Sequence, residues 1–167
     1  MKKLLPIFIL ILLYNKANAQ TQADSTIKHS PLKTLSYENY NALLNGDDIY
    51  GMSLAAELNH YPSPEKVLKY KKEMNLGPGQ ITKISAIAKE LHRKKLEMGS
   101  VIIANEKTID SLFRTNRLDN GSLIFYSNRY GLYQGELRNA ILQACFATRY
   151  LLSQQQVDKY EALHKGN

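Results

Sequence analysis

The sequence predicts an all-α protein. Apolar residues recur at steps of three, four or seven from Ser63 onward, which is the period of a helix face. No proline falls between residues 79 and 167, and no strand-like alternation competes there. The 167 residues suit one domain. With 44% hydrophobic and 22% charged residues, the composition is that of a folded chain, not of a disordered or polytopic membrane protein. A single cysteine excludes an intramolecular disulfide framework and a Cys-x-x-Cys site.

Residues 1–19 read as a cleavable Sec signal peptide. Lys2 and Lys3 form a basic start, and Leu4 to Tyr14 an apolar run too short for a bilayer, which takes about 20 residues. Ala17-Asn18-Ala19 is a small-x-small cleavage site. Without Lys2, Lys3 and Lys16 the formal charge falls from +7 to +4, a mild basic bias without the clustered footprint of a nucleic-acid binder. An exported protein that works outside the cytoplasm, where ATP is not available, is expected. Residues 20–36 are polar and aperiodic and are expected to be a flexible leader.

Residues 37–62 carry scattered Tyr, Leu and Met. They predict short helical turns packed as a peripheral strap, broken at Asn45-Gly46-Asp47-Asp48. The two aspartates lack the further oxygen ligands of a calcium loop. The regular helical domain spans 63–165. Ser63-Pro64 opens its first helix as cap and first-turn proline, with Val67, Leu68, Tyr70 and Met74 on the apolar side, up to Asn75. A second helix runs from Pro78 to Arg114, about 55 Å at 1.5 Å per residue. Its stripe is Ile81, Ile84, Ala88, Leu91, Met98, Ile102, Ile109 and Phe113. Lys94 and Lys95 interrupt the stripe, their stems able to lie along the apolar face. Gly99 would let another helix approach closely.

After the turn cluster Thr115 to Gly121, a third helix runs to about Leu151. Its main stripe is Leu123, Tyr126, Tyr130, Tyr133, Leu137, Ile141, Ala144 and Thr148. A second apolar face carries Phe125, Leu132, Leu142 and Phe146, more than one partner helix can cover. Ser153 opens the last helix. Leu152, Ser153, Gln156 and Val157 make a capping box with a hydrophobic staple. Leu76, Gly77, Gln80 and Ile81 repeat the form at the second helix start, with glycine in place of the hydroxyl residue.

Little in the chain carries chemistry. Cys145 with His92 is the one pairing suited to nucleophilic catalysis, and no orienting third group or oxyanion motif accompanies it, so no enzyme is expected. Gly77-Pro78-Gly79 is a helix connector, not a phosphate loop, and Glu90 and Glu97 sit on a solvated helix face. No cofactor is expected. A soft-metal site would draw on Cys145 with Met98 and His92, with His60 and His164 as further partners. The cluster His92-Arg93-Lys94-Lys95 is either a solvated face or a surface that attracts acidic segments of a partner.

The two boxes at Leu76–Gln80 and Leu152–Gln156, in an exported helical chain of this size, resemble the Leu-Thr-x-x-Gln motifs of the Spy/CpxP family of periplasmic chaperones. Both are degenerate at Thr. Glu57-Leu58-Asn59-His60-Tyr61-Pro62-Ser63-Pro64 and Ala147-Thr148-Arg149 resemble a periplasmic heavy-metal-sensor-like subgroup, over roughly residues 50–163. The resemblance implies a four-helix, hairpin-like protomer with two long antiparallel helices that pairs into a curved homodimer. It implies binding of unfolded client proteins without ATP. Arg93, Lys94, Lys95, Phe125, Leu132, Leu142 and Phe146 are the residues here suited to a client or dimer surface. Other members are metal sensors, or adaptors of a membrane-bound stress sensor. The subgroup's third-helix histidines match Ile141 and Cys145, and neither is histidine here.

Overall fold

A computed structural model describes residues 29–165 apart from Ile49. The expected signal peptide and residues 20–28 lie outside the described residues. The described residues form six helices and no strand: α1 Tyr37–Asn45, α2 Leu54–Glu57, α3 Pro64–Lys69, α4 Pro78–Arg114, α5 Asn120–Tyr150 and α6 Gln154–Lys165.

The long helices α4 and α5 pack against each other, and every other described element lies on them or on the junction at one end. Asp119 caps α5, its side chain accepting the Ser122 amide at 2.7 Å. Helix α4 closes in the reverse way. Asn116 takes the left-handed conformation (φ 52°), and the amide of Arg117 donates back to the carbonyl of Leu112. Gly46, His60 and Asn75 end their segments alike, with Asp47 donating to Ala42, Tyr61 to Ala56 and Leu76 to Lys71. The expected first helix stops at Lys69, short of Met74. The carbonyls of Val67 and Leu68 accept from amides three residues on, a tighter turn that a six-residue helix has few bonds to resist.

Two apolar clusters make the core. The first joins Leu32, Leu35 and Leu43 to Leu91 and Ile102 of α4 and Leu137, Ile141 and Ala144 of α5. The second joins Val67, Tyr70, Met74 and Leu76 to Ile84, Leu152, Val157 and Tyr160. The flexible leader expected as far as residue 36 is corrected at its described end: Leu32 and Leu35 are buried, and Ser36 caps α1 by accepting the Asn39 amide. The polar residues around these leucines hid two hydrophobic anchors.

The strap is seated closely. A β-carbon on Gly99 would lie 1.9 Å from the carbonyl oxygen of Leu43, so the α1 backbone crosses α4 where the side chain is missing. Asp48 accepts the amides of Met52 and Ser53 at 2.8 and 3.0 Å. Partial burial raises its pKa, but those bonds and the charge of Lys95 outweigh burial and hold it below the ordinary carboxylate value. Its carboxylate therefore shapes the turn.

Candidate functional site

The two glutamine boxes meet. Gln80 Nε2 donates to Gln156 Oε1 at 2.9 Å, and Gln156 Nε2 donates back to Gln80 Oε1 at 3.0 Å. Each oxygen also accepts the amide at its own helix start, Gly77 at 2.9 Å and Ser153 at 3.0 Å. Gln80 Nε2 further donates to the Leu151 carbonyl at 2.6 Å. The repeat read in the sequence is thus one reciprocal amide pair that ties the start of α4 to the α5–α6 corner. Ser153 Oγ completes its own box by accepting the Gln156 amide, whereas Gly77 has no side chain to do so. Leu76 and Leu152 are buried beside the pair.

The basic cluster divides into separate roles. Arg93 binds Glu90 at 2.7 Å and Glu97 at 3.0 Å along α4. Lys95 lays its stem against Leu43 and Ile141, its side chain 13% exposed, and its ammonium ends on Glu65 at 3.0 Å rather than in open water. A charge placed over apolar surface needs a partner, and α3 supplies it. Lys94 remains exposed, at the rim of an open groove of about 420 Å³ between α4 and α5. Ala86, Ile87 and Leu91 line one wall, and Ala140, Ala144 and Ala147 the other.

The second face of α5 is exposed at Phe125 (53%), Leu132 (59%) and Phe146 (49%), while Leu142 is half-buried. Phe146 stacks parallel on Tyr61 with ring centres 6.2 Å apart and meets Tyr150 edge-on. The Arg129 guanidinium lies 5.2 Å from the ring centres of both Phe125 and Tyr133. At the far end of the pair the predicted stripes are not closed over: Phe113 and Leu123 are exposed, together with Ile124. Asn105 replaces an apolar residue in this stretch, donating Nδ2 to the Tyr126 carbonyl at 3.0 Å.

The three residues named for a soft metal sit in different surroundings. Cys145 is buried; burial, followed by the charges of Glu57 and Glu65, pushes its thiol up to about 12. Such a thiol resists becoming the thiolate a metal requires. Met98 packs on the first core cluster, and His92 lies exposed beside Gly46. Among the described residues no three His, Cys, Asp or Glu side chains converge as a metal site would need.

Sequence reasoning missed the ties between strap and body. Glu57 accepts from Lys66 Nζ at 2.6 Å, and His60 lies 3.4 Å from Glu161. These pairs are far apart or irregularly spaced in the chain, so no periodicity signals them. The groove alanines were equally silent, because small residues read as filler on a helix. No protein-family model, curated protein or solved structure matches the chain. No helix among the described residues is long and apolar enough to cross a membrane.

Proposed function

We propose that the protein is an ATP-independent chaperone of the Spy/CpxP kind, exported to the periplasm, which captures unfolded or aggregating chains on the α4–α5 pair. In this reading α4 and α5 are the antiparallel arms of a hairpin-like, four-helix protomer, and two protomers form a curved dimer. The observation that carries it is the open alanine-walled groove between α4 and α5, with further apolar side chains, Phe113, Ile124, Phe125 and Leu132, exposed elsewhere along the pair. Uncovered apolar surface of this kind marks an interaction site. An apolar floor edged by the polar side chains of Glu90, Lys94, Asn139 and Gln143 suits segments of many sequences, since long exposed side chains can meet different partners without one fixed geometry. Lys94, with Glu90 on the same rim, supplies charge of both signs for weak, reversible attraction.

Light scattering of a denatured, aggregating client tests the proposal, with the protein at substoichiometric to equimolar levels and with or without chelator. Suppression indifferent to chelator is expected. Suppression that chelator abolishes would replace this reading with a metal-responsive one. No suppression, with one partner bound in fixed stoichiometry, would replace it with the adaptor of a membrane-bound sensor.

A further inference from the structure

The groove between α4 and α5 restricts the backbone form of what it can hold. It runs from Ala86 to Lys94 on α4 and from Asn139 to Ala147 on α5, about 12 Å at 1.5 Å per residue. Both walls are interior stretches of unbroken helices, so their backbone N–H and C=O groups are paired within α4 and α5. An extended segment laid there would find no ladder partner. The amides it turned toward the apolar floor of Ile87, Leu91 and Ala144 would stay unpaired. A helix meets its hydrogen bonds internally and brings only side chains to the floor. The alanines at 140, 144 and 147 recur at helical spacing and keep that wall low, so a third helix can settle between the two.

The rim sets the charge. Glu90 is engaged by Arg93, which donates Nε and Nη2 to it at 2.9 and 2.7 Å. Lys94 is exposed, and among the described residues no carboxylate forms an ion pair with it. Asn139 and Gln143 on the opposite rim carry no charge. We propose that the groove takes one amphipathic helix of about two turns, with an acidic residue beside its apolar face that meets Lys94. This rests on the capture reading above and narrows it: many sequences can enter, in one backbone form. The captured segment is coil when free, because so short a helix is marginal in water, and becomes helical on the groove.

The probes are fluorescein-labelled peptides of about 14 residues, short enough to be mostly coil when free. One has leucine and alanine at steps of three and four, with a single glutamate beside that face. The second has lysine in place of the glutamate. The third is the first with two central prolines, which remove helix hydrogen bonds and clash with the preceding turn. Binding to the full-length protein is read by fluorescence anisotropy, and helix gained on binding by difference circular dichroism. The glutamate peptide should bind with a gain of helix, and the proline peptide at least about tenfold more weakly. Lys94→Glu should weaken the glutamate peptide about threefold or more and strengthen the lysine peptide, the scale of an exposed ion pair. Lys107→Glu makes the same charge change about 20 Å further along α4 and should shift neither peptide. Equal binding of the proline peptide would overturn the helical form and leave the capture reading standing. Equal effects of the two variants would put the peptide outside the groove and overturn the proposal. Affinity that falls as the protein self-associates would seat a second copy in the groove, with the same consequence. No peptide bound by a protein that still suppresses client aggregation would overturn the proposal alone. Neither binding nor suppression would overturn the capture reading with it.

Discussion

At the residue scale, the glutamine pair shows how a short motif can be structural. Each amide uses its oxygen twice, once at its own helix start and once across to the other glutamine. Gln156→Ala would remove a partner from the Ser153 amide and from Gln80 together. Stability should fall by about 2 kcal/mol, the scale of leaving such groups unpaired. The midpoint of thermal unfolding should drop by roughly 4–8 °C. Adding Gln80→Ala should cost less than the sum of the single changes, because the two residues share one network; urea denaturation of the four proteins measures the difference. Cys145 gives a second expectation. Its ordinary thiol value is 9.0, and in the fold it is pushed up to about 12, chiefly by burial. Between those values the unfolded state binds fewer protons than the folded one, so stability falls as pH rises through the window, with no contribution from this group below it. Tyr160, raised by burial and then by the charge of Glu57, acts in the same sense. Denaturation midpoints taken from pH 8 to pH 11 should decline, and Cys145→Ala should flatten the decline. A thiol reagent at pH 8 should label the unfolded protein and spare the folded one.

At the element scale, the helices were legible where periodicity and punctuation agreed. The span of α4 was read residue for residue, because Pro78 opens it and no breaker interrupts it. Three of the left-handed helix ends fall on Gly46, Asn75 and Asn116, residue types that favour that conformation, while His60 carries no such signal. Gly99 was legible as a close approach, though not as the seat of Leu43 in particular. Leu32, Leu35 and the Lys95–Glu65 pair were hidden, since their partners come from distant parts of the chain. The candidate surface was only half legible: the second face of α5 could be counted from the sequence, whereas the groove needs α4 and α5 together. That face has a consequence for association. Phe125 and Leu132 stand more than half exposed, so changing both to Ser should leave the unfolding midpoint nearly unchanged. If two protomers pair across this face, sedimentation equilibrium of the double variant should show weaker self-association than wild type. An unchanged dimer would move the contact elsewhere on the molecule.

At the scale of the whole molecule, two clusters on one continuous helix pose a question of cooperativity. Ile84 of α4 belongs to the second cluster, and Leu91 and Ile102 of the same helix belong to the first. A rigid helix through both would favour unfolding in a single step. The covering elements argue the other way. The first cluster is closed by short segments held through Leu32, Leu35, Leu43, the Lys66–Glu57 pair and the exposed His60 beside Glu161, a contact worth little in water. The second is closed by α3, the turns to Leu76 and α6, and is stapled by the glutamine pair. Proteins open in units of unequal stability, and the unit with fewer buried contacts and shorter elements opens first. Native-state hydrogen exchange should therefore find the amides of α1 opening at lower free energy than those around Ile84 and Val157. Leu43→Ser should lower protection in α1 and leave it unchanged at Val157, whereas Gln156→Ala should do the reverse. Equal opening free energies at both places, falling together in either variant, would mean that α4 transmits stability along its whole length and that the strap and the body form a single cooperative unit.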